Sequence, residues 1–162
     1  MFESLVWKAL TGFKRTQPVY VEAESRKIGA LSVPEALIEA MRASDCVLLE
    51  APVAARLRLL KDEYAHFLEH ADALIGRLEC LAPIHGHAVI EKWKELALAR
   101  RWDRLIVDLL ARHYDPAYTR SIAKHYPALD RARKLELGDT GDAAFQALAQ
   151  RCLESESTRE RV

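Results

Sequence analysis

The residues best equipped for chemistry lie together in Val19-Tyr-Val-Glu-Ala-Glu-Ser-Arg-Lys-Ile-Gly29. A short β-branched and aromatic run ends there in two carboxylates, a hydroxyl and two cations: Glu22, Glu24, Ser25, Arg26 and Lys27. The carboxyl ends of strands in α/β sheets are where such folds bind ligands. Polar groups crowded beside a core are costly, which marks this segment as a candidate site. An apolar run ending in an acid, as Tyr20-Val21-Glu22 does, has the form of a Walker-B element, whose carboxylate holds Mg²⁺ or orients a water. A buried strand whose acid caps the next turn has the same form.

Other groupings could also carry chemistry. Leu49-Glu50-Ala51-Pro52 is followed by Arg56 and Arg58, the arrangement of a kinase-like strand, turn and phosphate-facing helix. An exposed helix with interspersed arginines reads the same way. His113-Tyr-Asp-Pro-Ala-Tyr118 could stack on a base and contact a phosphate; the alternative is a helix corner with Asp115 as N-cap and both tyrosines packed. Arg120, Lys124, Arg131, Arg133 and Lys134 face only Asp130 in their stretch. Arginine suits phosphate better than lysine does, although a charge run is also the pattern of a solvated helix face.

His66/His70 and His85-Gly-His87 have no H-E-x-x-H context. They read as surface histidines, and no metal ligand is assigned. Cys46, Cys80 and Cys152 are widely spaced, with no C-x-x-C, and read as buried thiols of a reducing compartment.

Positioning these groups requires an alternation of strands and helices. Phe2, Leu5, Val6, Ala9, Leu10 and Phe13 share one helical face. Residues 18–23 read as a strand, 34–43 as a helix begun by Ser32 and Pro34, and 45–50 as a second strand. Val53, Leu57, Leu60, Tyr64 and Phe67 form a helical stripe. Pro83 and Gly86 break an ambiguous stretch. Helices follow at about 87–100, with Val89, Trp93, Leu96 and Ala97 inward, and at about 102–113. Asp115-Pro116 starts another, closed by Pro127. Lys134–Leu137 is a third strand, 138–141 a turn, and Phe145, Leu148, Ala149 and Cys152 mark a last helix before a charged, frayed tail at 154–162.

Strands separated by helices imply a parallel sheet. The expected fold is therefore α/β and helix-rich overall, with a large helical insertion over about 52–127. The chain has 162 residues, 50% of them hydrophobic and 30% charged, which is the profile of one globular domain with a formal net charge of zero. No apolar run approaches the ~18 residues of a membrane span. The first residues lack the cationic and apolar regions of a signal peptide, so a cytoplasmic location without membrane contact is expected. A G-x-x-x-x-G-K-[ST] phosphate loop does not occur in the sequence.

In order and spacing, Phe2-Glu-Ser-Leu, Pro18–Gly29, Val33-Pro-Glu-Ala-Leu37, Glu50-Ala-Pro52 with Arg56, and His113–Tyr118 resemble the tRNA 2-selenouridine synthase family. The resemblance runs from about residue 2 to 152, and the Glu22–Gly29 block is its most specific part. It implies a P-loop kinase-like domain, here the C-terminal portion over 1–153, without the family's rhodanese cysteine or phosphate loop. That family replaces sulfur by selenium in wobble 2-thiouridine of tRNA. Its substrates are selenophosphate and geranyl diphosphate, and a geranylated intermediate lies on the route.

The resemblance makes Glu22 a candidate catalytic residue, and Glu24, Ser25, Arg26, Lys27 and Arg56 phosphate- or substrate-binding candidates. His113, Tyr114, Tyr118, Arg120, Lys124, Arg131, Arg133 and Lys134 become candidates for tRNA contact. The expected partners are tRNA and a separately encoded rhodanese/P-loop portion, with no cofactor bound by this chain alone. As a truncated or split piece, the chain is expected to be inactive by itself. The alternative is a non-catalytic tRNA-binding or complementing subunit of a split synthase.

Overall fold

The computed structural model of the chain describes residues 1–23 and 26–159, the side chains of 154–159 excepted. It divides into two compact units. The first comprises Met1–Leu48, Arg120–Leu135 and the chain from Ala149; the second comprises Leu49–Thr119 and Glu136–Leu148.

In the first unit, α1 (Phe2–Gly12) is the expected amphipathic helix. Only Phe2 and Val6 are half-buried, whereas Leu5, Trp7 and Leu10 face solvent. Residues 18–23 are irregular and do not form the expected strand. Strand propensity measures fit to a pleated, half-buried surface, and here Val19, Tyr20 and Val21 are exposed. The Tyr20 hydroxyl instead donates to the carbonyl of Cys152 at 3.3 Å.

Just beyond, the Arg-Lys-Ile-Gly stretch builds a small hairpin that the sequence pattern did not announce. Strands β1 (Lys27–Ile28) and β2 (Leu31–Ser32) pair antiparallel, with Lys27 opposite Ser32. The Val33 amide closes the hairpin on the Arg26 carbonyl at 2.8 Å. At its tip Gly29 has φ +60° while Ala30 stays at negative φ, the type II′ arrangement that calls for glycine first. Pro34 then launches α2 (Glu35–Ala43), as expected. Its Ile38 is buried, and the helix packs on the 3₁₀ turn Pro127–Arg131. Ile38, Ile122, Tyr126, Ala128 and Leu135 are the buried apolar residues of this unit.

Strands β3 (Val47–Glu50) and β4 (Arg133–Glu136) pair with each other. The Arg133 amide donates to the Cys46 carbonyl at 3.1 Å, and the Leu137 amide to the Glu50 carbonyl at 2.8 Å. Both partners advance by four residues in the same direction, so the pair is parallel. The α/β, helix-rich class holds, with a smaller sheet than three alternating strands would make.

The second unit is almost wholly helical. It contains α3 (Val53–Glu63), α4 (Ala65–Glu69), α5 (Ala71–Glu79), α6 (Ala82–His85), α7 (His87–Leu98) and α8 (Trp102–Leu109). The stripe from Val53 to Phe67 is not one helix: it breaks at Tyr64, and Val53 and Tyr64 are exposed while Ala55 is the buried residue. Gly86, at φ +80°, separates α6 from α7 and bears out the expected break. Leu78, Ile90, Trp93, Ala97 and Leu105 form the core, flanked by half-buried Val89 and Leu96, so the inward face expected for α7 is the observed one.

Two junctions in this unit depart from plain helix geometry. Helix α7 ends in a Schellman motif, in which the Arg100 amide donates to Ala97 at 3.0 Å and the Arg101 amide to Leu96 at 2.8 Å. Arg100 takes the left-handed position, φ 51°, that glycine usually fills. Helix α8 does not stop before Asp115-Pro116. It widens into a π turn over Leu110–Tyr114 and runs directly into α9 (Asp115–His125). The Asp115 amide reaches five residues back to the Leu110 carbonyl. A wider turn relieves the clash between a helical proline ring and the carbonyl four residues earlier, here that of Arg112.

Asp115 is therefore helical and not an N-cap. Helix α10 (Asp142–Arg159) continues through most of the tail expected to fray from residue 154. Among the described residues, no helix is long and apolar enough to cross a membrane.

Candidate functional site

In the first unit, Glu22 lies on the exposed irregular segment, so its carboxylate does not sit at a strand exit as a Walker-B acid would. Glu24 and Ser25 lie outside the described residues. Arg26 forms an ion pair with Glu35 at the start of α2, which ties the hairpin to that helix. Both side chains are about half exposed, and such surface pairs contribute little to stability. Lys27 opens β1 on an exposed edge of the hairpin. Arg120 and Lys124 are exposed and one helical turn apart on α9. Arg131 and Lys134 are exposed and Arg133 is half-buried, so this unit carries the motif segment and the basic run together.

In the second unit, Arg56 and the His113–Tyr118 segment meet. The Arg56 guanidinium forks onto the Asp115 carboxylate, Nη1 to Oδ2 at 3.1 Å and Nη2 to Oδ1 at 2.5 Å. This bidentate geometry is also the one arginine uses on phosphate. Arg58 likewise donates to Asp139 at 2.9 Å. That hydrogen bond, with one from the Thr140 amide, holds the Asp139 carboxyl below its usual range. The Thr140 hydroxyl donates to the Ala55 carbonyl at 3.3 Å, completing the attachment of the 138–141 turn to α3. Both arginines of this helix are thus matched to carboxylates within the chain.

Behind Asp115 runs a polar network that helical periodicity alone does not disclose. His85 Nε2 and His113 Nδ1 are 3.0 Å apart, so one ring must donate and the other accept. His85 is half-buried, not the surface histidine expected from its spacing, and lies edge-on to Trp93 at 5.0 Å between centroids. The Trp93 indole donates to Asp108 at 2.7 Å, and Asp108 also accepts from Arg112 at 3.0 Å. Burial pushes the Asp108 carboxyl up, but the Trp93 and Arg112 hydrogen bonds and the Lys92 charge outweigh it and leave it below its ordinary range.

Tyr114 and Tyr118 are 58% and 59% exposed, so they do not pack as a helix corner requires. The Tyr114 ring lies edge-on to His113 at 5.1 Å between centroids. Cys46 and Cys152 are half-buried and Cys80 is exposed, so the expectation of three buried thiols fails for Cys80 above all.

Burial, and then the charge of His85, depress His113 below its ordinary value of 6.5. The folded state therefore resists protonating a ring that the unfolded chain protonates freely. Stability is full above pH ~6.5 and falls as the pH drops towards the folded-state value. His113→Gln should flatten the urea midpoint between about pH 7 and pH 5. Parallel curves for the two proteins would remove the histidine pair as the cause.

The signals missed in the sequence are pairings across distance: Arg56 with Asp115, His85 with His113, and Trp93 with Asp108. Arg56, His113, Asp115 and Trp93 each stand out singly in the sequence, but their pairings do not.

A family model described as the tRNA 2-selenouridine synthase AAA domain matches residues 1–82. The match contains the Glu22–Gly29 block, the hairpin, Glu50-Ala51-Pro52 and Arg56. No characterised protein and no solved structure matches the chain. With just over half its length matched, the chain belongs to the tRNA 2-selenouridine synthase AAA-domain family.

Proposed function

We propose that the chain works within a tRNA 2-selenouridine synthase and takes part in replacing the sulfur of wobble 2-thiouridine by selenium. The observation that carries this reading is the family match over the segment holding Glu22, Arg26 and Lys27. In this reading selenophosphate and geranyl diphosphate are the small substrates, and a geranylated 2-thiouridine is the intermediate. Glu22 is the candidate catalytic carboxylate. Glu24, Ser25, Arg26 and Lys27 receive phosphate or diphosphate. Arg56, already forked onto Asp115, is a positioning residue for the segment that presents Tyr114 and Tyr118.

The exposed tyrosines of the second unit offer base stacking to tRNA, and separately the Arg120–Lys134 cations of the first unit offer phosphate contacts. With no glycine-rich phosphate loop in its 162 residues, the chain relies on a rhodanese/P-loop portion supplied from outside them, in a longer polypeptide or a separate partner.

The test is reconstitution. The chain is combined with a protein carrying the rhodanese and phosphate-loop portion, S-geranylated tRNA and selenophosphate, and digested nucleosides are read by mass spectrometry. We expect 2-selenouridine from the mixture and none from the chain alone. Equal product from the partner without the chain would sink the reading. Product that depends on the chain but is indifferent to Glu22 would make it a tRNA-binding or complementing subunit.

A further inference from the structure

The connection between α7 and α8 breaks three local rules at once, each with an arginine. Arg100 holds the left-handed position of the Schellman motif, φ 51°, where any side chain with a Cβ is disfavoured relative to glycine. Arg101 occupies the N-cap of α8 without a side-chain capping bond. Arg104 puts a cation in the first turn of α8, at the positive end of the helix dipole. Departures from local preference of this kind concentrate where function compensates for them.

These residues surround an open depression of about 420 Å³, lined by Lys61, Arg100, Arg101, Trp102, Asp103 and Arg104. Its one carboxylate, Asp103, is engaged by Lys61 at 2.8 Å. Arg100, Arg101 and Arg104 are exposed and form no ion pair among the described residues. Trp102 is half-buried against the helical core, which fixes the arginines to a rigid base. The contrast with α3 is plain, since Arg56 and Arg58 there are each matched to an aspartate.

We propose that this depression is a phosphate-binding site for the RNA backbone, with Arg100, Arg101 and Arg104 as its contacts. The α8 N-terminus adds amide donors and a favourable dipole for an anion. Three exposed cations spread along a connection and the next helical turn suit successive backbone phosphates. A small diphosphate would call for an enclosing cradle. Its three arginines lie outside the basic run of residues 120–134 and outside the family-matched segment, which reaches only Lys61 of the lining. It rests on the reading of the chain as part of a tRNA-modifying enzyme.

The experiment measures binding of the full 162-residue chain to labelled tRNA by fluorescence anisotropy across a salt series. Arg101→Gln/Arg104→Gln, Arg100→Gly and the triple variant are compared with Arg120→Gln/Lys124→Gln. Each arginine lost from the site should reduce the log–log salt slope by about 0.7 to 1, and the triple variant should bind on the order of tenfold more weakly at low salt.

Arg100→Gly supplies the sharpest contrast. It should raise the thermal midpoint by about 2–4 °C by relieving the left-handed residue, yet weaken tRNA binding several-fold. Wild-type affinity and slope in the triple variant would overturn the site while leaving the tRNA reading intact. Absence of tRNA binding by the wild-type chain would overturn both. Displacement of tRNA by millimolar pyrophosphate would also overturn it, by assigning the depression to a small diphosphate.

Discussion

Trp93→Ala is expected to cost about 3–5 kcal/mol, the range for deleting a large buried aromatic. Trp93 has 0% of its surface exposed and stands at the centre of the cluster that joins α5, α7 and α8. Its removal leaves a cavity among Leu78, Ile90 and Leu105, because a close-packed interior relaxes only in part. It also takes the indole N–H away from Asp108, a carboxylate that holds Arg112 and Lys92 around it.

Trp93→Phe separates the two effects. Most of the apolar volume is restored, and a loss of about 1–3 kcal/mol should remain for the missing donor and the smaller ring. Urea unfolding followed by circular dichroism measures both variants, since the substitution itself alters the fluorescence. A loss under about 1 kcal/mol in Trp93→Ala would mean that the helical unit does not depend on this core.

Glu22→Gln should produce the opposite profile. In the reconstituted synthase we expect turnover to fall by about 10²-fold, a typical contribution of a positioned acid or base. Stability should stay within about 0.5 kcal/mol, because Glu22 is exposed and outside any regular element. This combination makes the residue a clean probe, since any lost activity cannot be blamed on unfolding. Full turnover in the variant, with tRNA binding unchanged, would strip Glu22 of its catalytic assignment. The contrast with Trp93 separates the family motif, which makes little core, from the helical core, which lies mostly beyond the matched segment.

Much of the helical framework was legible because long amphipathic helices carry their own signal. The start of α2 after Pro34, the inward face of α7 and the break at Gly86 all follow from periodicity and turn chemistry. The pairing of β3 with β4 also matches two of the expected strands. Residues 18–23 failed because β-branched residues signal suitability for a sheet, not the presence of a neighbour to pair with. The two-residue strands around Gly29 are too short for alternation to register.

Asp115-Pro116 read as a helix start because sequence rules favour proline in a first turn. The π turn before it lets the helix continue. At the candidate site, residue types were visible but partners were not. Arg56 finds Asp115 across 59 positions and His85 finds His113 across 28. No local pattern encodes such a choice.

The division of the chain into units also sets an order of events during synthesis. In the second unit α5, α6, α7 and α8 pack on sequence neighbours, so their contacts can form as soon as they leave the ribosome. The first unit must wait. Helix α2, which carries buried Ile38, packs on Pro127–Arg131, and the intervening 71 residues of Leu49–Thr119 emerge before that partner. At about 5–20 residues per second, those 71 residues alone keep the motif-bearing segment without its partner for roughly 4–14 s after Leu48 is made. During that interval Ile38, buried once the unit is complete, is a natural target for a chaperone, and slower translation through the helical unit would lengthen its exposure.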